Sequence, residues 1–186
     1  MEQTSLAGGF QDPPRQSAVV FRGIMTAMAR PGTIQAVAGA HAPDPLSIAA
    51  ATVVMTLCDP DTGIHLTDPY DTRSVRDWIT FHTGAPIVKA ADAQFVLGRW
   101  ADIELVGLPI GTPEYPDRSA TVIVEVPELR AEGATLTGPG IETQVSLNLP
   151  PSDVFQRNHA LFPLGLDFMF TCGAQMAALP RSTKVS

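Results

Sequence analysis

A chain of 186 residues fits the roughly 100–200 residues of a single domain and can bury about 70% of its unfolded surface in one core. Hydrophobic residues make up 45% and charged residues 17%, a charge content that is low for a protein working alone and points to a surface partly covered by partners. The net charge of −7 excludes nonspecific binding to nucleic acid or an anionic membrane.

The first helix is expected in "DPPRQSAVVFRGIMTAMARPG". Asp12 stands as its cap, Pro13 and Pro14 suit its first turn, and Pro31 and Gly32 stop it. Phe21, Ile24, Met25 and Met28 follow the i, i+3, i+4, i+7 pattern of a buried face. Arg15, Arg22 and Arg30 fall within an arc of roughly 80° beside that face, with Arg30 near the helix end because a proline follows it. A short strand follows in "TIQAVAG". The second helix is expected in "PDPLSIAAATVVMTLCD", with Asp44 as cap and Pro45 in its first position. Residues 46–58 carry no charge, so this helix is buried in the core or in an interface. The third, "SVRDWITFHTG", has a capping-box-like pair in Ser74 and Asp77 and ends at Gly84.

"AQFVLG" reads as a strand, and "SATVIVEV" is the clearest strand of all. Ala120, Val122, Val124 and Val126 share one of its faces and Ile123 lies on the other, so it is expected to be covered on both sides. "ATLTG" and "ETQVSLNL" form a hairpin around the glycine-rich "GPG". "PSDVFQRNHALF" is a fourth helix, "GLDFMFTCG" a buried strand, and "ALPRST" the end of an ordered core over residues 9–183. No linker or repeat interrupts the chain, so residues 1–186 are read as one domain. The N-terminal ten residues have neither the basic region nor the apolar core of a signal peptide, and no apolar run reaches the ~20 residues of a membrane span. The expected location is the cytoplasm, with no membrane partner.

Glycine-rich loops often cradle phosphates, but a Walker loop needs Gly-Lys-Ser/Thr opening a helix, and neither Lys89 nor Lys184 follows a glycine. The dinucleotide pattern Gly-x-Gly-x-x-Gly is absent too. Pro139 and Gly140 suit the central positions of a type II turn, so this loop is expected to be structural. His41, His65, His82 and His159 are isolated from one another and from Cys58 and Cys172, which gives no metal site. The cysteines sit in apolar runs and read as small buried hydrophobes.

Arginine is favoured over lysine: of twelve basic residues only Lys89 and Lys184 are lysine, an imbalance that codon bias alone also produces. Arginine makes planar two-bond contacts with carboxylates and phosphates. "YPDRSAT" places Asp117, Arg118 and Ser119 at the mouth of the central strand, where ligands bind in α/β sheets. A fixed Asp117–Arg118 ion pair that orders the loop is the competing reading. "LPRST" presents Arg181 and "MARPGT" presents Arg30, so three arginine loops have the chemistry to meet on one anion. Asp167, in an apolar strand, must be paired or stand at the strand's start, because an isolated buried carboxylate is costly.

The ordered string "GFQDPPRQSAVVFRGIMTAMARPGTI", "TLCDPDT", "WITFHTGAP", "PIGTPEYPDRSATVIVEV", "LTGPGI", "FPLGLDFMF" and "ALPRST" resembles the H-subunit family of the bacterial carbon–phosphorus lyase system for phosphonate use. The resemblance runs from about Gly9 to Thr183. It implies an α/β fold, a mixed β-sheet flanked by helices, similar to the large domain of pyridoxal-phosphate-dependent transferases but without the cofactor site and with no cofactor. It implies a homodimer when isolated and binding to the I subunit in a core complex with the G and J subunits. It also implies a requirement, with the G, I and L subunits, for displacing adenine from ATP by methylphosphonate, which forms α-D-ribose 1-methylphosphonate 5-triphosphate. No catalytic residue carries over. The competing classes are a stand-alone enzyme in which arginines hold a phosphate or phosphonate, and a metabolite-binding domain.

Overall fold

The computed structural model describes residues 6–186; the signal-peptide reading of residues 1–5 lies outside them. In chain order the elements are α1 (Pro13–Ala29), β1 (Gln35–Ala36), α2 (Ile48–Leu57), β2 (Ile64–Leu66), α3 (Arg73–Thr83), β3 (Phe95–Arg99), β4 (Thr121–Glu125), β5 (Ala134–Thr137), β6 (Val145–Leu147), α4 (Ser152–His159), β7 (Asp167–Cys172), β8 (Gln175–Leu179) and β9 (Lys184–Val185). Six strands form a mixed sheet in the order β1-β8-β7-β4-β3-β2, and β6-β5-β9 form a small antiparallel sheet. Strands β2, β3, β4 and β7 are parallel, and the antiparallel β8 and β1 close one edge. The chain is thus α/β, a mixed sheet flanked by helices.

Side-chain alternation explains the layers. Leu66, Leu97, Ile123, Met169 and Ala178 stand in register on one face, where α1, α2 and α3 pack. Val96, Val122, Phe168 and Leu179 stand on the other, covered by α4, the small sheet and residues 103–110. Phe155 of α4 meets Phe168 edge-on at 5.1 Å, a favourable aromatic geometry. Strand β4 is buried on both faces, as a central parallel strand covered by a layer on each side must be.

Several elements depart from the sequence reading. Helix α2 starts at Ile48, not at Pro45, because the chain turns at Asp44 and Pro45 and the Ser47 side chain then accepts from the Ala50 N–H at 3.1 Å. Residues 49–54 of α2 are buried inside this chain, so its lack of charge reflects a core position rather than an interface. Helix α3 is capped by Thr72, which accepts from the Val75 N–H at 3.2 Å, while Asp77 faces Arg73 at 3.5 Å; Gly84 does end the helix, at φ 73°. In α1 Asp12 makes no side-chain cap, and the buried residues are Val20, Ile24 and Ala27. Phe21 and Met25 face outward at about half exposure, together with Val19. Periodicity found that helix but put its buried face about a quarter-turn off, because apolar residues occur around most of its circumference. Cys172 is half-buried, its Sγ donating to the Pro127 carbonyl at 3.3 Å, whereas Cys58 is buried and its thiol is pushed up to about 12 by desolvation. The chain also continues past Thr183 into β9.

Candidate functional site

Strands β4 and β7 begin side by side, with Thr121 opposite Asp167. Because β8 runs back along β7, it delivers Arg181 to the same end. Asp167 is the first residue of its strand and is paired as well. Arg181 donates from Nε to its Oδ1 at 3.2 Å and from Nη2 to its Oδ2 at 2.6 Å, and the Arg181 backbone N–H donates to Oδ1 at 2.8 Å. Nη1 of Arg181 donates to the carbonyls of Pro116 at 2.8 Å and Pro163 at 3.5 Å, and Nη2 also reaches the Ser119 hydroxyl. A guanidinium has five N–H groups, and these five acceptors engage them all. Arg181 therefore ties together the turn before β4, the approach to β7 and the end of β8. His159 adds a fourth element: its Nδ1 lies 3.0 Å from the Arg181 carbonyl, which can only accept, so that nitrogen carries the proton.

Asp117 and Arg118 lie in the short 3-10 turn Pro116–Arg118 and are exposed. They form no ion pair with each other. The guanidinium of Arg118 instead sits over the Tyr115 ring, 3.9 Å from its centroid, because neighbouring side chains in such a turn diverge. Arg30 is the C-terminal cap of α1 and is exposed; its carbonyl accepts from the backbone and side chain of Thr33. The loops of Arg30 and Arg181 approach one another through the glycine-rich turn. Gly140 packs against the Ala29 carbonyl, and a Cβ on Gly138 would lie 3.2 Å from the Ser182 carbonyl. The Ile141 N–H donates to the Gly138 carbonyl at 3.1 Å and Gly140 has φ 80°, the geometry of a type II turn. Backbone contacts and the Arg181 clamp thus bring the three arginine loops together.

This cluster stands at the amino end of the parallel strands. Ligands in open α/β sheets bind outside the carboxyl ends, the opposite side. There Arg99, Glu125 and Thr171 are neighbours in register across β3, β4 and β7. Glu125 is 9% exposed. Its Oε1 accepts from the Ser47 N–H at 2.7 Å and its Oε2 from the Thr171 hydroxyl at 3.1 Å. Desolvation raises its pKa above the usual carboxylate range, against the opposing pull of those hydrogen bonds. Tyr70 is buried close by and its phenol is pushed up to about 12, by burial first and by the Glu125 charge second.

A cavity of about 490 Å³ opens beside Glu125, lined among others by Arg99, Trp100, Glu128, Arg130 and Pro150. Its two arginines already have partners: Arg99 meets Asp102 at 2.6 Å, and Arg130 meets Glu128 at 2.7 Å and Glu132 at 2.9 Å. Trp100 also lines a second, largely apolar cavity of about 450 Å³, with Ile103, Leu105, Leu161, Leu166 and Phe168. Both volumes fall in the range of small-molecule sites. Sequence reasoning missed Glu125, although the signal was the one that singled out Asp167: a lone acid in an apolar strand. Lys89 and Lys184 are exposed and line neither cavity. Among the described residues no three His, Cys, Asp or Glu side chains gather as metal ligands, and no helix is long and apolar enough to cross a membrane.

Comparison with known proteins agrees with the resemblance carried by the motif loops. Residues 8–186 match the family model described as bacterial phosphonate metabolism protein (PhnH). The chain is 37% identical to the alpha-D-ribose 1-methylphosphonate 5-triphosphate synthase subunit PhnH of Rhizobium meliloti, over 96% of this chain and 94% of that one. It is 32% identical to the putative C-P lyase subunit protein HtxG of Stutzerimonas stutzeri, over 95% of this chain and 88% of that one. With a family model spanning nearly all of it and relatives aligned end to end, the chain belongs to the PhnH family of bacterial phosphonate metabolism proteins.

Proposed function

We propose that this chain is an accessory subunit of the carbon–phosphorus lyase core complex. It is required with the G, I and L subunits to transfer ribose triphosphate from ATP to methylphosphonate with release of adenine. The observation that carries this is the end-to-end similarity to a relative named as a subunit of that synthase. The geometry supports a supporting rather than a reacting role. Arg181, the arginine with the most buried guanidinium, holds Asp167, Ser119 and two carbonyls of its own chain. In this reading Arg181 and Ser119 shape the loop, while the exposed Arg30, Asp117 and Arg118 are the groups available to a ligand or partner subunit.

The outward apolar residues of α1, Val19, Phe21 and Met25, support assembly. They fit a homodimer of the isolated chain and docking to the I subunit within a complex that also holds the G and J subunits, all in the cytoplasm. The two hydrophobic layers share one central sheet, which supports a single folding unit over the whole chain. The likeness to the large domain of pyridoxal-phosphate-dependent transferases belongs to the same reading, with the surface lysines supporting an origin without cofactor chemistry.

The test is adenine release from ATP and methylphosphonate by the G, I and L subunits with and without this chain. Turnover is expected only with it, and none from the chain alone. Release by the purified chain would replace the accessory reading with that of a stand-alone enzyme. Full turnover without it would remove it from the reaction.

A further inference from the structure

Helix α1 lies along β8 and β1, with Val20, Ile24 and Ala27 buried against the fold. At about 100° per residue, Val19, Arg15, Arg22, Met25 and Phe21 fall within an arc of about 160° on the opposite side. Val19 is 69% exposed, Met25 51% and Phe21 48%, and large apolar side chains gathered in water mark an interaction surface. Arg30 extends this face at the end of the helix. No run of acids balances the arginines. Residues 13–43 contain three arginines and no Asp, Glu or Lys, which is +3 in a chain of net charge −7 and leaves −10 on the remainder. Asp12, before the helix, comes to 4.0 Å from Arg15, and Arg22 and Arg30 have no ion pair among the described residues. Glu142, in the turn packed against Ala29, stays outside ion-pair distance of Arg30.

A subunit has two uses for such a face, pairing with a second copy and docking to a different chain, and the charge pattern separates them. A two-fold contact sets a surface against itself. With antiparallel helices and the axis at the centre of the apolar residues, Arg22 meets its own copy and Arg15 falls beside Arg30 of the other helix. With parallel helices each arginine meets its own copy. Either way like charges face one another, and α1 carries no acid to relieve them. Docking α1 onto the acidic remainder of another copy is a heterologous contact, which runs on into rings or filaments. We propose that the outer face of α1 docks on an acidic, apolar surface of a different chain and not on a second copy, with Phe21 and Met25 as apolar contacts and Arg15, Arg22 and Arg30 as charge contacts. This rests on the chain being a subunit of the carbon–phosphorus lyase complex, and it assigns that role a surface. The arginines steer the encounter and fix its register, and the apolar side chains supply the area removed from water.

The experiment measures binding of the full chain to a purified complex of the G, I and J subunits, and self-association of the chain alone by sedimentation. Both are read at about 0.1 M and about 1 M salt, where the Debye length falls from ~10 Å to ~3 Å. Arg22→Glu is expected to weaken binding about ten-fold or more at the lower salt and by less at the higher. Arg30→Glu, past the last helical turn, repeats the test where helix stability is not at stake. Lys89→Glu makes the same charge change at an exposed residue beside β2, at the other edge of the sheet, and is expected to bind as the parent does. Met25→Asp is expected to weaken binding at both salt concentrations and to leave self-association and the denaturation midpoint unchanged. The proposal is overturned if Arg22→Glu and Arg30→Glu bind like the parent, or if Lys89→Glu weakens binding as much as they do. It is overturned too if Met25→Asp turns a dimer of the parent into monomer, or if the chain alone forms salt-sensitive assemblies larger than a dimer. A parent chain that fails to bind the complex removes the subunit reading and this proposal together, whereas variants that fail to discriminate remove only the proposal.

Discussion

At the amino end of the parallel strands Asp167 meets Arg181 at 2.6 Å, in a network that engages every guanidinium N–H. At the carboxyl end Glu125 is held by the Ser47 N–H, the Ser47 side chain and the Thr171 hydroxyl, with no cationic partner among the described residues, and a cavity opens beside it. Both acids come from apolar strands that are neighbours in the same sheet, yet one is paired with an arginine of its own chain and the other has no cationic partner among the described residues. Burying a carboxylate costs several kcal/mol unless charge and hydrogen bonds offset it. The amino end has that offset and is built for stability. The carboxyl end lacks the charge, and such unbalanced groups are where proteins hold ligands.

The sharpest way to break this contrast is Arg181→Ala. It removes five donors at once and strands a carboxylate that is only 18% exposed. Breaking a buried pair by deleting one partner costs about 3–5 kcal/mol. Chemical denaturation is expected to show a loss of that size, and a loss below about 1 kcal/mol would mean the network contributes little. A smaller loss is expected from Gly140→Ala. The residue sits at φ 80°, and a new Cβ would run into the Ala29 carbonyl at the end of α1. Strain of this kind costs about 1–3 kcal/mol. An unchanged denaturation midpoint would show that the turn relaxes freely.

Glu125→Gln is expected to move stability the other way. Burial raises the folded-state pKa of Glu125, so the folded chain holds this proton to higher pH than the unfolded chain does. Stability is therefore lost as pH rises from the unfolded carboxyl value, about 4.3, through the raised folded value. A neutral glutamine escapes that loss. Its advantage over the parent is expected at pH 7 and should vanish near pH 4, as read by paired urea titrations. A variant less stable than the parent at both pH values would mean that the ionised carboxylate is well compensated, and the contrast between the two ends would disappear. A residue whose neutral replacement stabilises the fold is kept for something other than stability.

How far the sequence foretold these two ends follows from which interactions are local. The helices, the doubly buried β4 and the hairpin of β5 and β6 were legible because periodicity and turn residues are local signals. The three-residue β2 was not, since its length gives no period. Nor was β8, "QMAAL", whose alanines have no strand preference and whose place is fixed by pairing with β7. Asp167 was recognised as needing a partner, but its partner, Arg181, was assigned to a ligand. That pairing depends on the β7–β8 register, which no local pattern encodes. Glu125 went unnoticed because its hydrogen-bond donor, Ser47, lies 78 residues away. Residues 117–119 precede β4 and so stand at its amino end, and the parallel pairing with β3 and β7, which no local pattern encodes, makes that the amino end of the neighbouring strands as well.

The smallest expected effect on stability belongs to Arg118 and Arg30. Both are exposed, Arg118 rests on Tyr115 and Arg30 has no ion pair among the described residues. An exposed cation–π contact is worth about 0.5–1 kcal/mol, and surface substitutions elsewhere stay within about ±0.5 kcal/mol. Ala at either position should thus leave folding nearly intact. That makes the pair the cleanest probe of whether the amino end does more than hold the fold together. A charged hydrogen bond to a phosphate or phosphonate is worth about 1.5–3 kcal/mol, so loss of one from the transition state lowers adenine release about ten- to hundred-fold. The complex assembled with each variant is compared with the parent complex, with subunit content checked by gel filtration. A drop of that size with intact assembly makes these arginines the part of a closed, stable end that reaches substrate. Lost assembly makes them docking residues, and unchanged turnover with intact assembly confines the amino end to the structural role that Arg181 already fills.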